Sequence, residues 1–370
     1  MFLAERIIGV ATYVLLLIIV SFKIYKSKKN QSIIKTLKKY WIILSILAFF
    51  YIPTNSADLS RYIASAHIYS SYSFSELVKT ISETAAPMQV IYFYILGLTK
   101  VDGLIPAVSC MIFYGLTFSI FSDAIKRYNI SGRNATLSLL FFMSMGGFLN
   151  VISIIRSCVA FSAIAYCCYF ELIGKKKIKR HIPIYIFSAL MHPAAIVLIV
   201  VRVLTIIFKK ERTLIKKIMN YIFVIILMAL IIKFGNNYIN LIIEKSITYI
   251  MGNVYSYVWE YIICFMYMIF STYIIVKSKN TIKTMELVNF NRFLILINIF
   301  ILIFCFEYSI FTRYQLFSSI LFLPYFSIYI NQLKDKSKTL TFMYYSITII
   351  IFVIACTRGN LCGFKFLLFN

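Results

Sequence analysis

Carboxylates are scarce in this chain. Only 13 Asp and Glu stand against 38 Lys and Arg in 370 residues, and there are three histidines. No loop holds a carboxylate pair of the Asp-x-Asp kind, so a nucleotide-sugar enzyme built around bound Mg²⁺ is not expected. No Walker sequence is present, so ATP does not drive the protein directly. No Cys/His spacing suits zinc, and no metal site is expected. Alternating strand patterns that would argue for a barrel are missing, as are a soluble domain and an internal repeat. The first segment lacks the usual positive leader and is long enough to span a bilayer, so no cleavable signal peptide is expected.

Apolar sequence is abundant. The chain is 61% hydrophobic, with a mean hydropathy of +0.86. Repeated apolar runs of roughly 15–22 residues read as membrane helices, the shorter ones needing tilt or local thinning. The expectation is an all-α polytopic membrane protein, residues 1–370 forming one integral domain of about 10–13 transmembrane or re-entrant helices.

The net charge of +25 does not point to nucleic acid, because the basic residues fall in clusters between the apolar runs. Lys23 to Lys39, Lys126 to Arg133, Lys175 to Arg180, Lys209 to Lys217, Lys277 to Lys283 and Lys334 to Lys338 are the clusters. That placement marks cytoplasmic loops, where the same residues meet anionic headgroups. Helices laid between them fall at 4–22, 40–53, 104–122, 135–149, 157–173, 219–234, 257–276, 287–308, 313–331 and 339–356. An outer loop is expected at 54–85, with outer turns near 150–157 and 309–313.

Two stretches resist this map. Residues 181–208 run between two basic clusters that both belong inside, and they are too few for two full spans. The His192-Pro193 pair interrupts helical geometry, since proline disfavours it in the preceding residue. A pair of short helices, 181–191 and 194–208, meeting at His192-Pro193 solves the parity and places His192 towards the outer face. Residues 88–99 pose a similar problem and read as an interfacial or re-entrant helix. Arg202 is expected to snorkel inward, and His181 to sit solvated in its basic loop. The cysteines in apolar runs read as small packing residues, with Cys356 and Cys362 close enough in sequence to pair.

The remaining polar residues then gather on one side. Asp58, Arg61, Glu76 and Glu83 lie in the outer loop; Arg156 opens a helix; His192 lies at the break; Glu260 and Glu307 are near helix ends; Arg313 starts a late helix. An ionisable group in a membrane segment costs a few kcal/mol, so a partner or a reaction retains it. Each also has a plainer reading. Arg156 and Arg313 could anchor helix ends, His192 could cap a carbonyl freed by Pro193, and Asp58 and Arg61 could form a local i,i+3 pair. Chemically, arginine forks bind phosphate oxygens bidentately, and a neutral imidazole accepts a proton from a sugar hydroxyl. Glu260 or Glu307 could serve as that base instead.

Several short elements carry a family resemblance. They are Asp58-Leu59-Ser60-Arg61-Tyr62, Pro87-Met88-Gln89, Ile154-Ile155-Arg156-Ser157 followed by Ala160 and Ala163, Ala189-Leu190-Met191-His192-Pro193-Ala194-Ala195, and Arg313-Tyr314. In these the chain resembles the EpsG-like and Wzy-type bacterial polysaccharide polymerases, over roughly residues 50–330. It departs from their pattern at Ser157, where glutamine is usual, and at Leu59, where tyrosine is. The resemblance implies a fold like the lipid-sugar-dependent (C-type) glycosyltransferases. It also implies a repeat-unit polymerase of O-antigen, capsule or exopolysaccharide in the bacterial cytoplasmic membrane, its active face outward. Donor and acceptor would be undecaprenyl-diphosphate-linked glycans, with no cofactor, and the partners would include membrane lipids, a flippase and a chain-length regulator. Arg156 and Arg313 would hold the diphosphate, His192 would act as base, and Asp58, Arg61, Tyr62 and Gln89 would line the substrate site. A lipid-linked oligosaccharide flippase would need a cationic cavity open to both faces. A membrane O-acetyltransferase would need its histidine near the inner face.

Overall fold

In hydrocarbon a backbone amide has no water to bond, so each segment must pair its own N–H and C=O groups, and the helix does this locally. A computed structural model describes residues 2–53, 58–145, 147–207, 258–279, 284–305, 308–333 and 345–346. Among the described residues there are fourteen α-helices. They are α1 (Phe2–Tyr25), α2 (Asn30–Phe49), α3 (Asp58–Ser70), α4 (Phe74–Glu83), α5 (Pro87–Gly97), α6 (Leu104–Tyr128), α7 (Gly132–Met145), α8 (Phe148–Ser153), α9 (Ile155–Leu172), α10 (Ile182–Met191), α11 (Ala194–Ile207), α12 (Val258–Ser278), α13 (Met285–Ile303) and α14 (Tyr308–Gln332). The chain is an all-α polytopic membrane protein. Three of the described helices, α6, α9 and α13, are long and apolar enough to cross a membrane by length and composition, and α5, α10 and α11 are shorter apolar helices.

α14 is the axis of the bundle. Its residues from Tyr314 to Ile330 are buried throughout, and it packs on α6, α7, α9, α12 and α13. Aromatic rings fill the seam: Phe141 of α7 stacks on Tyr267 of α12 at 4.4 Å between centroids, and Phe322 on Phe326 at 5.3 Å. Polar side chains stitch the same helices. Asn298 of α13 accepts from Ser318 of α14 at 2.8 Å and donates to Thr272 of α12 at 3.0 Å. Such bonds matter between membrane helices because lipid supplies no hydrophobic drive for their association. On the other flank α2 lies along α6, where the Trp41 indole donates to the Met111 carbonyl at 2.7 Å.

Several sequence expectations change. α2 begins at Asn30, so Lys35, Lys38 and Lys39 are helical rather than in a 23–39 loop. The helical period explains it: Ile33, Leu37, Tyr40 and Leu44 are buried, and the three lysines lie on the exposed face. The 54–85 connection holds two helices, not an open loop. α4 is started by a capping box, in which Ser73 and Glu76 exchange side-chain and backbone hydrogen bonds. The Ser73 side chain holds the Glu76 carboxyl below its ordinary value, so Glu76 is a helix cap. α14 starts at Tyr308, which puts Arg313 in its second turn instead of at a helix start. The expected span 219–234, nearly all of 339–356, the Cys356/Cys362 pair, Glu307 and the Glu260 side chain lie outside the described residues.

Candidate functional site

Five places in the chain contribute to the site: α3, α5, α9, the α10–α11 break and α14. Pro87 opens α5 at a position where a missing N–H costs nothing. α5 lies directly on α3, and Gly97 permits the approach: a Cβ there would run into the Ala66 carbonyl. Tyr62 of α3 stacks on Phe93 of α5 with ring centroids 5.3 Å apart. Leu59, Tyr62, Ala66, Phe93, Ile105 and Ile155 form a separate small core. Ile155 in that core immediately precedes Arg156, so the packing fixes where α9 begins.

Arg156 reaches from the first turn of α9 to both of the packed helices. Its Nη1 donates to Gln89 Oε1 at 2.7 Å, and its Nε donates to the Tyr62 hydroxyl at 3.4 Å. The guanidinium carbon is 5.4 Å from the Tyr62 ring centroid, within cation–π range. A guanidinium has five N–H donors, so these two contacts leave an edge of the fork open. Burial raises the Tyr69 hydroxyl on α3 above its ordinary value, as does Tyr72, with the Arg156 charge acting the other way.

His192 lies in extended conformation between α10 and α11. Its backbone is satisfied: its N–H donates to the Ser188 carbonyl at 3.0 Å and its carbonyl accepts from Ala195 at 2.9 Å. Its ring is not. The residue is 8% exposed, and neither Nδ1 nor Nε2 has a hydrogen-bond partner. The ring therefore caps no carbonyl. A buried, unpartnered imidazole is costly to keep.

Arg313 is delivered by α14, whose neighbouring residue ties the two halves of the site. The Tyr314 hydroxyl donates to the Ala194 carbonyl at 3.2 Å, just past the break. Its ring stacks on Phe161 of α9 at 5.8 Å and 11°, and Phe161 in turn faces the His192 ring at 5.9 Å. Phe161 and Tyr314 thus link the His192 ring to α9 and α14, the helices that carry Arg156 and Arg313, with Gln89 and Tyr62 bound to Arg156. Asp58 and Arg61 do not join them. They form a local i,i+3 ion pair, and the Arg61 side chain is 73% exposed.

Four buried residues were misplaced or missed in the sequence. Arg202 is not snorkelling: its Nε donates to Glu171 Oε2 at 2.9 Å. His181 is not a solvated loop residue: its Nδ1 lies 2.9 Å from Glu171 Oε1, and burial closes over both. Glu171 itself was not singled out, because a single acid at a helix end carries no sequence signal. Gln315, two residues beyond Arg313, is wholly buried with neither amide atom partnered.

Comparison with known proteins adds one match. The model of the EpsG family covers residues 104–367. No curated protein and no solved structure matches the chain.

Proposed function

The chain belongs to the EpsG family, whose role is polysaccharide-polymerase-like, and on that premise we propose that it joins undecaprenyl-diphosphate-linked oligosaccharide repeat units. The reaction takes place on the outer face of the bacterial cytoplasmic membrane and builds O-antigen, capsule or exopolysaccharide. The observation that carries this reading is the buried, unpartnered His192 ring, linked through Phe161 and Tyr314 to the two distant helices that carry Arg156 and Arg313.

The residues divide the work by chemistry. Arg156 and Arg313 bind the donor diphosphate, an anion that suits planar forks in a partly dry site. Gln89 and Tyr62 hold Arg156 in position and use only part of its donor set. The acceptor hydroxyl oxygen forms a new bond to the donor's anomeric carbon as that carbon's bond to the diphosphate oxygen breaks. The electron pair leaves with undecaprenyl diphosphate, whose growing charge the arginines stabilise. The hydroxyl proton passes to a ring nitrogen of His192. Donor, acceptor and surrounding lipid are the partners the site needs, and a flippase and chain-length regulator act before and alongside it.

Polymerisation by purified protein supplied with one defined undecaprenyl-diphosphate repeat unit is the test. A ladder of products differing by one repeat is expected, without nucleotide sugar or ATP. Failure to lengthen the unit under any lipid composition that keeps the protein folded would sink the reading.

A further inference from the structure

The broken pair α10–α11 folds back on itself, and both of its legs end on one carboxylate. Glu171, near the far end of α9 from Arg156, has a side chain only 2% exposed. On its Oε1 it meets His181 Nδ1 at 2.9 Å and accepts from the Tyr185 hydroxyl at 3.0 Å. His181 is the residue that opens α10, and Tyr185 is in its first turns. On its Oε2 it accepts from Arg202 Nε, of α11, at 2.9 Å. Arg202 is braced in turn, Nη1 donating to Thr205 at 3.0 Å. The His181 and Arg202 side chains are 6% and 8% exposed. One buried acid therefore clasps the base of both legs to α9, while His192 stands at the apex.

The clasp sets a height. Arg156 and Glu171 are 15 residues apart on a single helix, a rigid rise of roughly 22 Å. Between helices in lipid, side-chain packing and polar contacts together set the register. Elsewhere α10 presents Ile182, Ile186 and Leu190 outward, each more than a third exposed, and this face gives no register. We propose that Glu171 is a positioning residue: by holding both legs of the α10–α11 hairpin against α9, it places the His192 ring level with Arg156 and Arg313. This rests on the reading of His192 as the base. It adds that the base is aligned from the opposite end of the helix that carries the diphosphate-binding arginine.

Glutamine at 171 keeps the size but is neutral, so it loses the charge-assisted bond to buried Arg202 and can meet His181 and Tyr185 only by donating from its amide NH2. The test compares wild type, Glu171→Gln and His192→Ala as purified proteins in nanodiscs, with a defined undecaprenyl-diphosphate repeat unit as donor. For Glu171→Gln, kcat is expected to fall at least tenfold with KM for the donor within about twofold, because Arg156 and Arg313 lie on α9 and α14 rather than on the hairpin. A loss of fold alone would lower the amount of active protein and leave the kcat of the remainder unchanged.

Nitroxide labels at Leu190→Cys and Met111→Cys, both exposed positions, in a background without native cysteines, report the hairpin directly. Their distance distribution should be narrow in the parent and broadened or shifted by Glu171→Gln. Should glutamine leave Arg202 uncompensated and keep the protein from the membrane, the double variant Glu171→Gln/Arg202→Met removes both charges, and the same kinetic split and distance change are expected. An unchanged kcat in Glu171→Gln while His192→Ala is inactive overturns the positioning role. An unchanged rate in His192→Ala overturns the base assignment, and the positioning role with it.

Discussion

Arg156 Nη1 donates to Gln89 Oε1 at 2.7 Å across 67 residues of chain. The bond joins the first turn of α9 to the first turn of α5 and gives the glutamine of that short apolar helix a charged partner. A half-buried guanidinium without such a partner would carry a desolvation penalty. The amide oxygen offsets part of that penalty and, being neutral, adds no counter-charge beside the guanidinium.

The first prediction follows from the shape of that group. A lysine at 156 would keep the charge but lose the planar fork and its simultaneous contacts to Gln89 and Tyr62. Arg156→Lys and Arg156→Ala should both reach the membrane at near-normal levels. Both should cost roughly 2–4 kcal/mol of transition-state stabilisation, about 30- to 1000-fold in rate, and leave a single-repeat product on a polysaccharide gel. Arg313→Ala should behave similarly. A full-length ladder from Arg156→Lys would mean that this arginine only anchors a helix end.

The two contacts to Arg156 should differ in weight. Gln89→Leu removes the short hydrogen bond to a charged group, worth about 1.5–3 kcal/mol, and should lower kcat/KM by about 10- to 150-fold. Tyr62→Phe removes only the 3.4 Å hydroxyl contact and keeps the ring on Phe93, so its loss should stay under about fivefold. Steady-state kinetics of the two variants side by side test the ranking, and an equal or inverted pair of effects refutes it.

Sidedness can be measured without activity. The proposed topology puts the apex of the α10–α11 hairpin towards the outer face, and the basic clusters on either side of the hairpin inside. A single cysteine at Lys177 or Lys210, in a protein lacking its native cysteines, should resist an impermeant maleimide in intact spheroplasts and react after lysis. Labelling of Lys177→Cys in intact cells would contradict the map. Lys210→Cys checks the other end of the hairpin.

Gln315 gives a stability test. Its amide is buried and unpartnered, a burden of about 1–3 kcal/mol, and leucine would fill a similar volume without it. Gln315→Leu should raise the thermal unfolding midpoint of the protein in nanodiscs. A lowered midpoint would show that the amide makes a stabilising bond in the folded protein.

Much of the fold could be read from local sequence. Apolar run length and basic clusters fix a helical membrane protein because both act within one segment: hydrocarbon demands internal backbone pairing, and lysines stop short of it. The break at His192-Pro193 was legible because proline constrains its immediate neighbour. The cap at Ser73 and Glu76 was equally available, since Ser-x-x-Glu is a local signal, and reading 54–85 as a loop overlooked it. His181 shows where such reasoning ends. Its neighbours are basic and polar, which predicts solvent, yet it is buried on Glu171.

What the sequence by itself determined is therefore the helical membrane class, the charge layout and the residues able to do chemistry. Each depends on side chains within a few positions of one another. The tertiary structure alone decided that Gln89 and Tyr62 meet Arg156, that Arg61 turns to Asp58 instead, and that Glu171 holds both legs of the His192 hairpin. Between membrane helices, packing and polar complementarity choose the partner faces, and no periodicity along one helix records which face of another it will meet.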